Sequence, residues 1–346
     1  MHMADALLSP AVGGTMYAAT AAAAAYSIRK VKTELDGKKI PLMGVMGAFI
    51  FAAQMINFTI PGTGSSGHLG GGLLLAILLG PFAGFLTMAS VLLIQALFFA
   101  DGGLLAYGAN VFNLGFFTCF LAYPLIFKRI VKKGYTAGRV ATASMITAIV
   151  GLQLGAFGVV LETLFSGKTE LPFGAFILLM QPIHLAIGIV EGLVTAAVAS
   201  FVWKARPELL ERSAVSHPLG GLSIKTVMIG LAAAAVFTGA VLSWFASTHP
   251  DGLEWSMFKT SGKEELEATG GTYEKLASVQ EKTAFLPDYG FKAPQDGPSR
   301  EGGGRAWPAV SAGTSVAGLV GGLLTLVLAS GIGLAIRAIR PTPAKP

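Results

Sequence analysis

The feature that most limits the fold of this chain is a series of apolar runs long enough to cross a lipid bilayer. Nine such runs lie at 8–28, 40–58, 69–80, 84–100, 104–127, 138–165, 172–203, 224–247 and 309–336. A helix of about 20 apolar residues crosses a hydrocarbon core of about 30 Å, where each backbone polar group must find its partner inside the protein. The third run is short and glycine-rich, which predicts a partial or tilted crossing. The sequence therefore predicts an all-α polytopic membrane protein.

Composition and charge distribution support this class. Of the 346 residues, 53% are hydrophobic and only 13% are charged, whereas soluble domains carry about 25% charged residues. Seventeen of the 25 Lys and Arg residues lie in four polar segments, at 29–39, 128–139, 204–225 and beyond 336. With nine crossings these segments share one side of the membrane, which the positive-inside rule makes the cytoplasm. The net charge of +6 therefore reflects topology, and no nucleic-acid partner is expected.

The same topology predicts a multi-pass protein of a bacterial inner membrane with its N-terminus outside and its C-terminus in the cytoplasm. The predicted domains are a seven-helix unit at 1–203, a cytoplasmic linker at 204–221, and a two-helix transmembrane hairpin at 222–346. The hairpin encloses an extracytoplasmic loop at 248–308. Much of this loop is predicted to be mobile, because 259–306 is rich in Gly, Pro, Lys and Glu.

The first two residues offer nitrogen ligands. A metal bound by the α-amine of Met1 and the deprotonated amide of His2 closes a five-membered chelate ring, and Nδ1 of His2 can close a six-membered ring. His68, in the glycine-rich segment 61–68 on the same outer side, can supply a fourth nitrogen. Four planar nitrogens suit Ni(II) or Cu(II). The alternative is that His68 is a turn residue that hydrogen-bonds the backbone.

Two further ionisable residues lie inside a predicted span. His184 and Glu191 are seven positions apart, so both lie near one face of the helix. Such residues usually face the bundle interior, and either a structural pair or a supporting role at a site fits them. Asn113 is expected to hydrogen-bond between helices.

The sequence lacks a common nucleotide-binding motif and a common metalloprotease motif. No phosphate loop of the Gly-x-x-x-x-Gly-Lys-Ser/Thr type occurs, and no His-Glu-x-x-His motif occurs. The chain is therefore not expected to hydrolyse ATP by that route or to be a metalloprotease, and no enzymatic activity is expected.

Four segments resemble the CbiM/NikM proteins, which are substrate-binding S components of energy-coupling-factor (ECF) transporters for cobalt and nickel. These segments are Met1 to Ser9, Pro61 to Gly72, Gln95 to Asn113 and His184 to Ala197. The following part resembles the small CbiN/NikN subunit, whose Pro-Asp-Gly-Leu-Glu signature is 250–254 here. The combination is similar to the fused NikMN arrangement, which favours nickel over cobalt.

The resemblance implies a metal site formed by Met1, His2 and His68, with the ion as cargo and no cofactor. It also implies a transmembrane T component and ATPase subunits as partners, in an ABC-type importer embedded in membrane lipid. Three other functions stay open from the residues alone, and one of them is a nickel sensor or assembly factor that does not transport the ion. A secondary permease or channel for divalent cations would use intramembrane carboxylates such as Glu162 and Glu191. A membrane enzyme would use His184 and Glu191 as an acid–base pair, although no nucleophile accompanies them.

Overall fold

The computed structural model describes residues 2–32, 34–292 and 307–339. Within them the chain is mostly helical. The α-helices are α1 (Pro10–Val31), α2 (Lys39–Gln54), α3 (Gly72–Leu79), α4 (Pro81–Ile94), α5 (Tyr107–Val111), α6 (Lys128–Val131), α7 (Ala137–Phe165), α8 (Phe173–Ala205), α9 (Pro207–Ala214), α10 (Lys225–Ala240), α11 (Gly252–Ser261), α12 (Gly271–Thr283) and α13 (Ala312–Ala338).

Shorter elements connect these helices. A π-helical segment (Gln95–Phe99) extends α4, and a second one (Phe112–Phe127) joins α5 to α6. Single 3-10 turns cover Asp5–Leu7, Leu242–Phe245 and Pro287–Tyr289. The strands β1 (Phe58–Ile60) and β2 (Ser65–Gly67) form a small antiparallel hairpin, which the sequence did not predict.

The prediction of an all-α membrane-spanning fold is confirmed. Within the described residues, five helical stretches are long and apolar enough to cross a bilayer: 81–99, 107–131, 137–165, 173–205 and 312–338. The apolar helices α2 and α10 are shorter than predicted, at 16 residues each. The difference in length arises because α2 ends before the β hairpin and α10 ends before a 3-10 turn. The predicted short third run is α3, with eight residues.

Local sequence signals explain where several helices begin. Ser9 caps α1 and is followed by Pro10 at the first helical position, where proline needs no hydrogen bond. The hydroxyl of Thr136 caps α7, and that of Ser311 caps α13. The Asp-Gly-Leu-Glu run folds as a capping box, in which the Asp251 carboxylate accepts from backbone N–H groups and Glu254 reaches back to the Asp251 N–H.

The helices α10 and α13 pack closely against α2 and against each other. A Cβ atom added at Gly44 of α2 would collide with Ser330 of α13. Gly239 of α10 lies directly against Gly318 of α13 in the same way. Small residues allow such close approach of helices in lipid, and α10, α13 and α2 therefore pack as one unit.

The outward surface of these helices is apolar. Large hydrophobic side chains are exposed on α8, α10 and α13, including Leu178, Ile229 and Leu323. A contiguous exposed apolar surface of this kind suits contact with lipid. The short helix α9, inside the predicted linker, is anchored where the Ser213 hydroxyl donates to the Leu78 carbonyl (2.8 Å).

Candidate metal centre

The amino-terminal segment is tied into one end of the helix bundle by hydrogen bonds from and to its backbone and by the Asp5 side chain. The Met3 N–H donates to Oδ1 of Asn110 (2.8 Å), and Nδ2 of Asn110 donates back to the Met3 carbonyl (3.1 Å). The same carbonyl accepts from the Gly103 N–H (2.9 Å). The Asp5 carboxylate accepts from the Ala106 N–H (3.0 Å). These contacts fix the position of the residue that precedes Met3, while Met1 itself lies outside the described residues.

The His2 side chain is only 5% exposed and lies against a carboxylate. Its Nδ1 is 2.7 Å from Oδ1 of Asp101. Its Nε2 is buried and has no hydrogen-bond partner among the described residues. If Nδ1 carries the proton and donates to Asp101, the lone pair on Nε2 is left for a ligand. The nitrogen that the sequence predicted as a ligand, Nδ1, is therefore held by Asp101 in this structure.

His68 follows β2 directly and lies beside His2. The two imidazole rings are stacked, with centroids 4.8 Å apart and planes inclined by 24°. Nδ1 of His68 is 3.1 Å from the Leu69 carbonyl, which accepts a hydrogen bond and so assigns the proton to Nδ1. Nε2 of His68 is 4.0 Å from Oδ2 of Asp251. The structure thus brings together the two histidines predicted for the site.

Burial keeps the His68 imidazole neutral. It lowers the pKa of His68 to about 3, and the charge of His2 acts in the same direction against the opposing charges of Asp251 and Asp101. Only a neutral imidazole can ligate a metal ion. His68 is therefore in its ligating form over the whole physiological pH range.

Asp101 links His2 to a tyrosine from the second half of the chain. The Tyr289 hydroxyl donates a hydrogen bond to Oδ2 of Asp101. Burial raises the pKa of Asp101, but the charge of His2 and the hydrogen bonds from His2 and Tyr289 outweigh burial and lower that pKa below its ordinary value. The Tyr289 ring stacks on Phe99, with centroids 5.2 Å apart. The orientation of His2 is thus supported by residues far from it in sequence.

The backbone that follows His68 is held by Glu191 of α8. Oε2 of Glu191 accepts from the Gly70 N–H (2.8 Å), and Oε1 accepts from the Gly71 N–H (3.1 Å). Gly71 is also the residue before α3 and has a left-handed backbone, with φ of 78°. The carboxylate therefore satisfies free N–H groups near the positive end of the α3 dipole, and it fixes the segment that carries His68.

His184 lies on the same face of α8 as Glu191, but the two side chains have different hydrogen-bond partners. Its Nδ1 is 2.7 Å from the Met180 carbonyl, and its Nε2 is buried without a hydrogen bond. The ring packs against Gly252 at the start of α11, where an added Cβ would lie 3.4 Å from Cε1 of His184. Both residues are buried on one face, as predicted. Glu191 accepts from the two glycines, and no hydrogen bond joins it to His184 among the described residues.

Asn113 makes the contact between helices that the sequence predicted. Its Nδ2 donates to Oε2 of Glu162 in α7 (2.8 Å). Glu162, like Glu191, therefore has a hydrogen-bond donor of its own inside the bundle.

Side chains alone supply few metal ligands here. In the described part of the chain, no group of three or more His, Cys, Asp or Glu side chains is arranged to hold a metal ion. A four-coordinate site at His2 and His68 would thus draw on main-chain nitrogen. The support from Asp101, Tyr289 and Asp251 was not predicted, because their positions depend on how the second half folds over the first.

Two family profiles match this sequence. The family described as CbiM, cobalt uptake substrate-specific transmembrane region, matches residues 2–209, and the PDGLE domain matches residues 225–338. A protein of Archaeoglobus fulgidus, provisionally named as a fused nickel transport protein NikMN, is 38% identical over 233 residues, covering 67% of this chain and 75% of that protein.

Similarity extends to a bacterial protein and to a solved structure. The fused nickel transport protein NikMN of Rhodobacter capsulatus is 31% identical over 229 residues, covering 61% of this chain and 64% of that protein. A crystal structure described as a truncated transition metal transporter superposes with a TM-score of 0.53 at 32% identity. The superposition covers 59% of this chain and 99% of that chain.

Proposed function

The chain belongs to the CbiM family of cobalt-uptake substrate-specific transmembrane proteins, joined here to a PDGLE domain, and we propose that it is the metal-binding component of an importer for Ni(II) or Co(II). The observation that carries the proposal is the stacked pair of buried imidazoles, His2 and His68, at the outer end of the bundle. No other pair of the described histidines is stacked in this way.

The proposed ligands are the Met1 amine, the His2 amide, Nδ1 of His2 and Nε2 of His68. In this arrangement the two imidazoles occupy adjacent corners of a square plane. Metal–nitrogen bonds of about 2 Å place each ring centroid about 3 Å from the ion, so two such bonds at right angles place the centroids about 4.2 Å apart. The observed separation is 4.8 Å while Asp101 still holds Nδ1, so a small movement of the rings brings them to that distance. Four nitrogens in a plane favour nickel, which the fused nickel transport relatives also support.

Metal binding through Nδ1 requires Asp101 to release His2. The ion displaces the proton that Nδ1 shares with Asp101, together with the protons of the amine and the amide. Asp101 keeps its hydrogen bond from Tyr289, so its charge stays close to the cation. His68 needs no such change, because its Nε2 already carries a lone pair when Nδ1 donates to Leu69.

We further propose that the chain acts as the S component of an ECF-type complex in the inner membrane. A T component and ATPase subunits would supply the energy, since the sequence holds no phosphate loop. In this proposal the metal site faces outside and the C-terminus lies in the cytoplasm, as the positive-inside rule predicts from the basic segments. Residues 340–346 of that terminus lie outside the described part. The domain division at 1–203, 204–221 and 222–346 belongs to the same proposal.

A secondary permease is less well supported. The intramembrane carboxylates that would line its path are Glu162 and Glu191, and each is bound by donors of the bundle. Nickel uptake that persists in cells without the ATPase subunits would favour the permease over an ECF component.

The experiment that tests the proposal is nickel titration of the purified chain, followed by calorimetry and visible absorption. We expect one ion per chain and a yellow square-planar spectrum. His68→Ala is expected to lose this spectrum, while His217→Ala, which changes an exposed histidine elsewhere, is expected to keep it. Equal binding by both variants would contradict the proposal.

A further inference from the structure

A cavity of about 580 Å³ opens outward from the candidate metal centre. His2 and His68 line its inner end. The second half of the chain lines most of the outer part, through α11, α12 and the turn at Pro287–Tyr289. Hydrogen bonds hold α12 against the first half of the chain. The Tyr273 hydroxyl donates to the Leu8 carbonyl (2.7 Å), and Nε2 of Gln280 donates to the Gly102 carbonyl (2.8 Å).

The titratable side chains that line this cavity, apart from the two histidines and Tyr273 and Tyr289, are all acidic. Two carboxylates come from the first half of the chain, Asp5 and Asp101. The second half contributes five more, which are Asp251, Glu254, Glu265, Glu274 and Asp288. No Lys or Arg among the described residues lines the cavity. The second half thus contributes most of the carboxylates on the described part of the cavity wall.

These carboxylates lie close enough to influence each other. Burial raises the pKa of Asp288, and the charges of Asp101 and Glu265 raise it further. Burial and the charge of Asp251 raise the pKa of Glu254 to about 7. The repulsion between these carboxylates falls when a cation enters. The concentration of cations is therefore higher in the cavity than in the bulk solvent.

An independent observation shows that the cavity leads to a group that can bind a ligand. The His2 side chain is 5% exposed and lines the inner end of the cavity. Its Nε2 is buried and unpartnered among the described residues. A buried polar atom of this kind normally has a partner, so the inner end of the cavity is suited to a polar group that donates to Nε2, such as a water molecule of a hydrated cation.

We propose that this cavity is an electrostatic vestibule in which the PDGLE domain concentrates hydrated divalent cations in front of His2 and His68. The inference rests on the proposed function and adds the route by which the ion reaches the site. The rim carboxylates Glu265 and Glu274 are exposed, so they act on an ion that keeps its water shell. Their effect is on the rate of association, because the ligands in the bound state lie deeper.

The test compares two variants with equal change in charge. Glu265→Gln/Glu274→Gln removes two charges from the cavity wall. Glu267→Gln/Glu281→Gln removes two exposed charges from the same outer segment that do not line the cavity. Nickel association with the full-length purified chain is followed by stopped-flow absorbance at low and high ionic strength. Circular dichroism confirms that both variants are folded.

We expect the rim variant to bind nickel about fivefold more slowly than the control variant at low ionic strength, in line with electrostatic steering. The difference should disappear at about 1 M salt, where the screening length is about 3 Å, and the dissociation rate should not change. Equal association rates in the two variants would refute the proposed vestibule without affecting the proposed metal site. A wild-type chain that binds no nickel would instead overturn the proposed function.

Discussion

The imidazole of His2 stacks on that of His68, although one ring comes from the extreme N-terminus and the other from the segment between β2 and α3. Each ring is held by a different part of the fold. Asp101 holds His2, and Glu191 holds the backbone that follows His68. The geometry of the pair therefore depends on both supports, and each support leads to a prediction.

Substitution of Glu191 is expected to weaken nickel binding through His68. Glu191→Gln keeps the size of the side chain but replaces one acceptor oxygen by a donor, so the N–H of either Gly70 or Gly71 loses its partner. Loss of such outer support typically costs about 10- to 100-fold in metal affinity. Calorimetric titration of Glu191→Gln, His68→Ala and the double variant forms a thermodynamic cycle. Glu191→Gln should have no further effect in the His68→Ala background, and additive effects would refute a role through His68.

Gly103 is expected to be essential for docking of the N-terminal segment. A Cβ atom at this position would collide with the Asp5 carboxylate and with the backbone nitrogen of Asp5. Gly103→Ala should therefore abolish nickel binding while the helix bundle stays folded. Gly174→Ala is the matched control, because a Cβ there meets nothing within 4 Å, and it should bind nickel normally. Normal binding by Gly103→Ala would show that the segment docks differently.

Nickel affinity is expected to fall as the pH is lowered from 8 to 5. The ion competes with protons for the terminal amine, whose ordinary pKa is about 7.7–8.0, and for the His2 amide. His68 contributes nothing to this fall, because burial lowers its pKa to about 3. Titrations across this range measure the slope. Constant affinity from pH 8 to 5 would exclude the amine as a ligand.

The capping role and the charge of Asp251 can be separated. Asn is as good a helix cap as Asp, whereas Ala costs about 1 kcal/mol. Asp251→Ala should therefore speed amide hydrogen exchange in α11 (Gly252–Ser261), and Asp251→Asn should leave it close to wild type. Fast exchange in both variants would indicate that the charge, and not the cap, stabilises α11.

Much of the membrane fold was predictable from the sequence, because a spanning helix needs a long apolar run. Even the short α3 was visible as a glycine-rich run. The helices α11 and α12 were not predictable from the sequence. The helix α12 has no buried residues. It is held by one hydrogen bond from Tyr273 and two from Gln280, so its sequence resembles that of a solvated loop.

The site was predictable in part. His2 and His68 are recognisable as candidate ligands because each has an unusual local context on the same predicted side. Their ring orientations were not predictable, because Asp101, Tyr289 and Asp251 reach them only through tertiary folding. The Asp-Gly-Leu-Glu signature was visible, but only the structure shows that its capping carboxylate also lies 4.0 Å from His68.

The most direct measurement of the central claim is nickel binding by a chain that carries one extra residue before Met1. The insertion keeps both histidines and moves the α-amine out of chelation range. Calorimetry and visible absorption of this variant should show the loss of one-to-one binding and of the square-planar spectrum. Undiminished binding with an unchanged spectrum would contradict the account, because the ion would then be held without the terminal amine.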